Sequence, residues 1–247
     1  MTMRYLNTLR IYERGNMTDL ENMGMVRIPG GPVQMGTNKA LVCRLEGRRW
    51  NETPVRQIEV SPFWLAICKV TNQEFERFNP THVRPPQSAG DRMPVTDVMY
   101  GEALSYIKKL NRETGANFRL TTEPEWIFAA ALLGWEYSYQ PQAENPRSDI
   151  VHVFRPDRIH GAVEVDDPRF PTNRYGIHQL DHNVSEYMAG HYRTTEGQYG
   201  AQDDGMYCIA KGGNWGHCSY GPGVQRRLLV DVSDRNPRIG FRLAHSV

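Results

Sequence analysis

The chain has 247 residues, with 29 Lys and Arg against 28 Asp and Glu and a formal net charge of +1. The basic residues are scattered, so this balance excludes the electrostatic footprint of a nucleic-acid binder, and no apolar run is long enough to insert in a bilayer. A chain of this length buries a sizeable core without help from disulfides or metals, while 22 Gly and 16 Pro call for many turns and long ordered loops.

Residues 1–24 read as an N-terminal extension, polar and weakly periodic, suited to packing on the domain or to joining a homo- or hetero-oligomer. Its start carries no uninterrupted apolar segment, so no secretory signal is expected, and a cytoplasmic or virion-associated location is. Residues 25–247 then read as one domain. "MVRIPGGPVQMG" suggests two short strands paired as a hairpin around Gly30-Gly31. Residues 37–54 are charged and irregular, a loop. "VRQIEV" alternates as a half-buried strand should, and "FWLAICKV" reads as a more buried one.

Thr71 opens a short helix, with Glu74 three residues on to complete a capping box, and Asn79-Pro80 ends it. A longer helix is predicted from about Tyr100 to Arg112. There Ala103, Leu104, Ile107 and Leu110 recur at helical spacing, and Gly115 supplies the stop. "NFRL" is a brief strand. A second capping box, Thr122 to Glu125, starts a helix with Pro124 in its first turn, where a missing N–H costs little. From 135 to 205 no strong helix appears, and a stretch so long without regular structure points to a functional surface. "MYCIAKGG", "GVQRRLLVDV" and "RIGFRLAHSV" read as three closing strands. Strands, then helices, then strands define an α+β class rather than an alternating βαβ fold.

The four cysteines, Cys43, Cys68, Cys208 and Cys218, form no C-x-x-C pair, and free thiols are the default reading. Cys68, in an apolar run, is expected to pack as a small hydrophobe; a Cys208–Cys218 bridge is the alternative for the other two. His178, His182 and Glu186 recur every fourth residue, a zinc or iron spacing if the segment were helical, but Gly176, Asp181 and Asn183 make it a poor helix.

Read together, several phrases resemble the formylglycine-generating enzymes, or sulfatase-modifying factors. They are "MVRIPGGPVQMG", "NETPVRQIEVSPFWLAICKVTNQEFERF", "NFRLTTEPEWIFAA", "NRYGIHQLDHNVSEY", "AKGGNWGHCSY" and "RIGFRLA". They run in the family's order and cover nearly the whole chain from Met25 to Ala244. The resemblance implies an α+β, C-type-lectin-like fold with much irregular structure. Within it Trp126 and Trp215 are expected as core aromatics, Arg119 and Glu125 as a buried structural pair, and Arg242 as a structural charge with a partner.

The resembling enzymes oxidise a substrate cysteine with copper held by two cysteines after the Gly-Gly motif, a pairing of soft ligands with soft Cu(I). Here His217 stands at the first of those positions and Pro222 near the second, with Cys218 one residue late, so copper is not expected. The resemblance also implies a calcium loop, carried over to Asp181, His182 and Val184 through carbonyls and Glu186 through its carboxylate, although His182 replaces a glycine. A loop held by Asn183 and Glu186 hydrogen bonds alone is the alternative. Lectin-like relatives serve as displayed binding domains, including adhesins and phage receptor-binding proteins. The chain is therefore expected to be a non-catalytic module for a protein or glycan ligand, with Trp135, Tyr192, Trp215 and Tyr220 as contact residues. The alternative is a divergent oxidoreductase acting on a peptide cysteine or other thiol, with His217, Cys218 and Arg226 in its pocket.

Overall fold

Strand β4, Phe63–Ala66, begins with three consecutive buried residues, and the alternation of a strand explains why. Successive side chains point to opposite faces. Trp64 therefore enters one apolar cluster, with α3 (Tyr100–Thr114), while Phe63 and Leu65 enter another, with α4 (Glu123–Ala131). The same division recurs in β6 (Ser185–His191), where Tyr187 faces the first cluster and Met188 the second. It recurs again in β7 (Tyr207–Lys211), where Cys208 and Ala210 face the first and Ile209 the second. Two cores thus lie back to back, with strands between them. The computed structural model describes residues 17–36, 55–131, 160–170, 172–180, 182–191, 205–216 and 227–247.

The described strands form three sheets. One has the order β1 (Met25–Ile28), β4, β10 (Leu243–Ser246), β5 (Phe118–Leu120); a second pairs β2 (Gly31–Met35) with β3 (Arg56–Val60). The third runs β8 (Leu228–Asp231), β7, β6, β9 (Ile239–Gly240), antiparallel except for the parallel pair β6–β9. This is the mixed α+β architecture expected.

Local signals in the sequence are met closely. In α2 (Asn72–Glu76) both halves of the Thr71–Glu74 capping box are present. Helix α3 buries Tyr100, Ala103, Tyr106, Ile107, Leu110 and Thr114 on one side and ends at Gly115 in the left-handed region, φ 72°. Helix α4 starts on the second box, Thr122 Oγ1 accepting from the Glu125 amide at 3.4 Å and Glu125 Oε2 from the Thr122 amide at 2.9 Å. Residues Trp126 to Ala130 are buried without interruption, as in a helix enclosed on all sides.

Three strand assignments differ from expectation. β1 and β2 do not pair as a hairpin: β1 pairs with β4 and β2 with β3, in different sheets. Gly30 makes the transfer, at φ +73° and so close to β3 that a Cβ would lie 2.3 Å from the Val60 carbonyl oxygen. "FWLAICKV" stops being strand at Ala66, because the next residues cross from one sheet toward the other, Val70 donating to the Phe241 carbonyl. "RIGFRLAHSV" is two strands in two sheets, β9 and β10, and the link between them carries Arg242 into the interior. The expected extension also contributes to the domain: α1 (Met17–Asn22) places Leu20 in the first core.

Candidate functional site

The sheet-to-sheet links deliver charge to the interior. Lys69 follows β4, Arg242 separates β9 from β10, and Glu186 lies at the start of β6. The three side chains are 0–1 % exposed. Glu186 Oε1 accepts from Lys69 Nζ at 2.9 Å and Arg242 Nη2 at 2.8 Å. Its Oε2 accepts from Trp126 Nε1 at 3.0 Å, and Arg242 Nε reaches both oxygens at 3.1 and 3.2 Å. A carboxylate has about four lone-pair sites, and protein donors take them all. Burial opposes the charge on Glu186, but Arg242 and then Lys69 outweigh it and hold the carboxyl below its ordinary range.

The same two cations pin the backbone. Arg242 Nη1 donates to the Ala66 and Ile67 carbonyls at 2.9 and 2.7 Å, Nη2 donates to the His178 carbonyl at 2.8 Å, and Lys69 Nζ donates to the Gln179 carbonyl. The loop from 178 to 186 is thereby tied to the end of β4. Its centre is held by side-chain amides. Asn183 Nδ2 donates to Val163 O at 3.0 Å and Gln179 Oε1 at 2.6 Å, Asn183 Oδ1 accepts from the Val163 amide at 3.0 Å, and Gln179 Nε2 donates to Glu164 O at 2.8 Å. Gln179 and Asn183 take positive φ, 56° and 72°. Asn tolerates this region better than most residues. The His182 ring lies 4.7 Å from that of Phe170.

His178 and His182 therefore belong to a non-helical loop and Glu186 to a strand, so their four-residue spacing places them on no common helix face. Among the described residues, no three His, Cys, Asp or Glu side chains gather to hold a metal. Of the calcium set, Asp181 lies outside the described residues. Glu186 does not fit the expected role, since both its oxygens are already committed to cations and an indole.

A second charged cluster also borders Trp126, through Lys211, the register partner of Glu186 on the neighbouring strand. Lys211 Nζ is 6.0 Å from the indole centroid and 3.3 Å from Glu123 Oε1, and Arg227 Nη2 is 2.6 Å from Glu123 Oε2. Burial opposes ionisation of Glu123, and Lys211 and Arg227 overcome it, lowering its pKa. Arg227 marks the far end of residues 217–226, which include His217, Cys218, Tyr220 and Arg226 and lie outside the described residues, as do Trp135 and Tyr192.

The near end is Trp215, half-buried on Val163 and Phe170. Its Nε1 donates to Pro237 O at 3.3 Å, and the Arg238 guanidinium sits 4.9 Å above its ring. Trp215 is thus a packed anchor with one face covered by a cation. Arg119 and Glu125 pair, at 2.6 and 2.7 Å, but near the surface rather than buried as expected, because the Arg119 side chain is 29 % exposed.

The described thiols are packed. Cys208 is fully buried in the first core, its pKa pushed up to about 12 by burial, and Cys68, half-buried, is pushed up to about 11 for the same reason. Neither is a ready thiolate at neutral pH. No helix among the described residues is long and apolar enough to cross a membrane.

Sequence reasoning missed Lys69, Lys211 and Glu123. A solitary lysine in the apolar run "FWLAICKV" was the available signal, because a lysine that follows buried strand residues inward requires a buried counter-charge.

Two sheets dividing two cores, with a buried Glu–Arg–Lys cluster under an Asn-Val-x-Glu loop, define an α+β scaffold of the formylglycine-generating-enzyme type. The family model for the sulfatase-modifying factor enzyme 1-like domain matches residues 13–247, and the chain belongs to that family. It is 27% identical to the inactive C-alpha-formylglycine-generating enzyme 2 of Bos taurus, over 91% of this chain and 88% of that protein. Among solved structures it is similar to PvdO from Pseudomonas aeruginosa, with a TM-score of 0.64 and 22% identity over 90% of this chain and 94% of that one. It is also similar to Treponema denticola variable protein 1, with a TM-score of 0.67 and 18% identity over 90% and 95%.

Proposed function

We propose that this chain is a non-catalytic binding or structural module on the formylglycine-generating-enzyme scaffold, presenting its irregular surface to a protein or glycan ligand in the manner of an adhesin or a receptor-binding, virion-associated protein. One observation carries the reading. After Gly212-Gly213 the sequence has His217 and Pro222 where the resembling enzymes have their two copper cysteines, and only Cys218 nearby. A soft-metal redox centre of that kind needs two convergent thiolates. Cys68 and Cys208 are poor substitutes, because burial disfavours the thiolate of each. The similarity to a relative named an inactive enzyme supports the same conclusion.

The test is copper content of the purified chain, together with oxygen uptake in the presence of a cysteine-containing peptide. The expected outcome is substoichiometric copper and uptake no faster than the peptide's own autoxidation. Stoichiometric copper with thiol-dependent uptake, abolished in Cys218→Ser, would establish the oxidoreductase instead. Glycan-array and pull-down measurements with the full chain then identify the ligand class, and Tyr220→Ala and Tyr192→Ala are expected to weaken binding without lowering Tm.

A further inference from the structure

We infer that the ammonium group of Lys69 replaces a divalent cation at the Gln179–Glu186 loop, so that this loop is closed by the chain's own side chain and requires no calcium. The geometry is specific. Lys69 Nζ joins a backbone carbonyl, that of Gln179, to a carboxylate oxygen, Glu186 Oε1 at 2.9 Å. A carbonyl and a carboxylate from one loop are the hard oxygen donors that calcium collects. Arg242 does the same from the other side, joining the His178 carbonyl to Glu186 at 2.8 Å each. Two unit charges on covalent tethers thus do what one dication would do. They leave the Glu186 carboxylate without a free lone pair, its last hydrogen bond coming from Trp126 Nε1 at 3.0 Å.

Charge counting sharpens the point. Glu186 contributes one negative charge against the two positive charges of Lys69 and Arg242, all three in a site 0–1 % exposed. A calcium ion placed against the same carboxylate would meet two fixed cations in a medium of low dielectric constant and be repelled by both. Exchanging Lys69 for a carboxylate reverses the balance: two negative charges would face Arg242 alone, with the Gln179 carbonyl released to serve as a further oxygen ligand. Whether or not the chain turns over a substrate, its loop should therefore be indifferent to chelators, and one substitution should make it calcium-dependent.

The experiment uses the full chain and its Lys69→Glu variant, each unfolded thermally in EGTA and in excess calcium chloride, with bound calcium counted by equilibrium dialysis. The wild-type gap between the two conditions is the baseline. Lys69→Glu is expected to unfold well below wild type in EGTA, to recover about 5 °C or more in calcium beyond any wild-type shift, and to bind one calcium ion more per chain. A folded Lys69→Glu that neither gains calcium nor shifts beyond wild type overturns the inference. Should that variant fail to fold in either condition, the wild-type chain still decides. Terbium(III) bound at Glu186 would lie beside the Trp126 indole and luminesce when it is excited. Sensitised emission that Trp126→Phe removes overturns the inference, and a signal indifferent to Trp126→Phe, or none, upholds it.

Discussion

Two buried glutamates anchor clusters that meet at the same tryptophan, Glu186 directly and Glu123 through Lys211, and they are held differently. Glu186 is fully enclosed, as are Lys69 and Arg242, and each partner has a second task in pinning a carbonyl from another part of the chain. Glu123 is 9 % exposed and shares one partner, Arg227, that is 19 % exposed. The first cluster is therefore a joint between sheets, where charge, register and loop path depend on one another. The second is a brace that opens to solvent at Arg227, although its other cation, Lys211, is fully enclosed. Enclosure, more than the number of ion pairs, sets how much each should matter, because removing one partner of a buried set leaves an uncompensated charge, whereas near the surface water supplies part of the loss.

The largest effect should come from breaking the joint. Arg242→Met leaves Glu186 with Lys69 alone and orphans the carbonyls of Ala66, Ile67 and His178. The expected cost is about 3–5 kcal/mol, or a fall in Tm of roughly 6–20 °C for a chain of this size. Glu186→Gln should fall in the same range, because two cations then lose their counter-charge. At the brace, Glu123→Gln should cost less, about 1–3 kcal/mol. Denaturant unfolding of the three variants tests the ranking. Equal losses for Glu123→Gln and Glu186→Gln would remove the distinction between joint and brace.

The brace and the joint were not equally legible in sequence, and neither was read completely. Capping boxes at Thr71 and Thr122 and the stop at Gly115 were visible because each is complete within a few residues. The pair Arg119–Glu125 spans six positions and was found. The Gly-Phe-Arg motif marks Arg242 as a structural charge with a partner, but does not say that the partner is Glu186. Lys69 is not legible in the same way, because its bond to the Gln179 carbonyl closes 110 residues of chain and the apolar run around it disguises it as strand. The hairpin around Gly30-Gly31 failed for a related reason. Two glycines report that the backbone must turn or come close to something, and here the something is Val60 in another strand. Local chemistry could be read; which sheet a strand joins depends on pairing energies spread over the whole chain.

Acidification should separate the two kinds of group by pH. His82, His178 and His245 are held below the ordinary histidine value of 6.5, in each case chiefly by burial. In the unfolded chain they take up protons near pH 6.5 while the folded chain resists. Stability should therefore decline modestly as pH falls below that value. Glu186 and Glu123 are lowered from 4.5, so the stability they contribute is present above that pH and is lost as pH falls through their folded values. A plot of Tm against pH should show a shallow fall followed by a steeper one. Glu123→Gln should flatten the second phase and spare the first.

The smallest effect should be at Arg119–Glu125. The pair is bidentate, at 2.6 and 2.7 Å, but Arg119 is 29 % exposed and Glu125 also accepts from the Thr122 amide, so its charge at the start of α4 keeps a partner when the arginine is removed. Arg119→Met should therefore cost only about 0.5–1 kcal/mol, a change of roughly 1–4 °C in Tm. The difference from wild type should shrink at high salt, where exposed charges are screened. The Arg242→Met difference should persist, because salt does not reach an interior from which water is already excluded. A salt-insensitive loss at Arg119 as large as that at Arg242 would mean that enclosure does not rank these pairs, and that the joint owes its weight to something other than its buried charge.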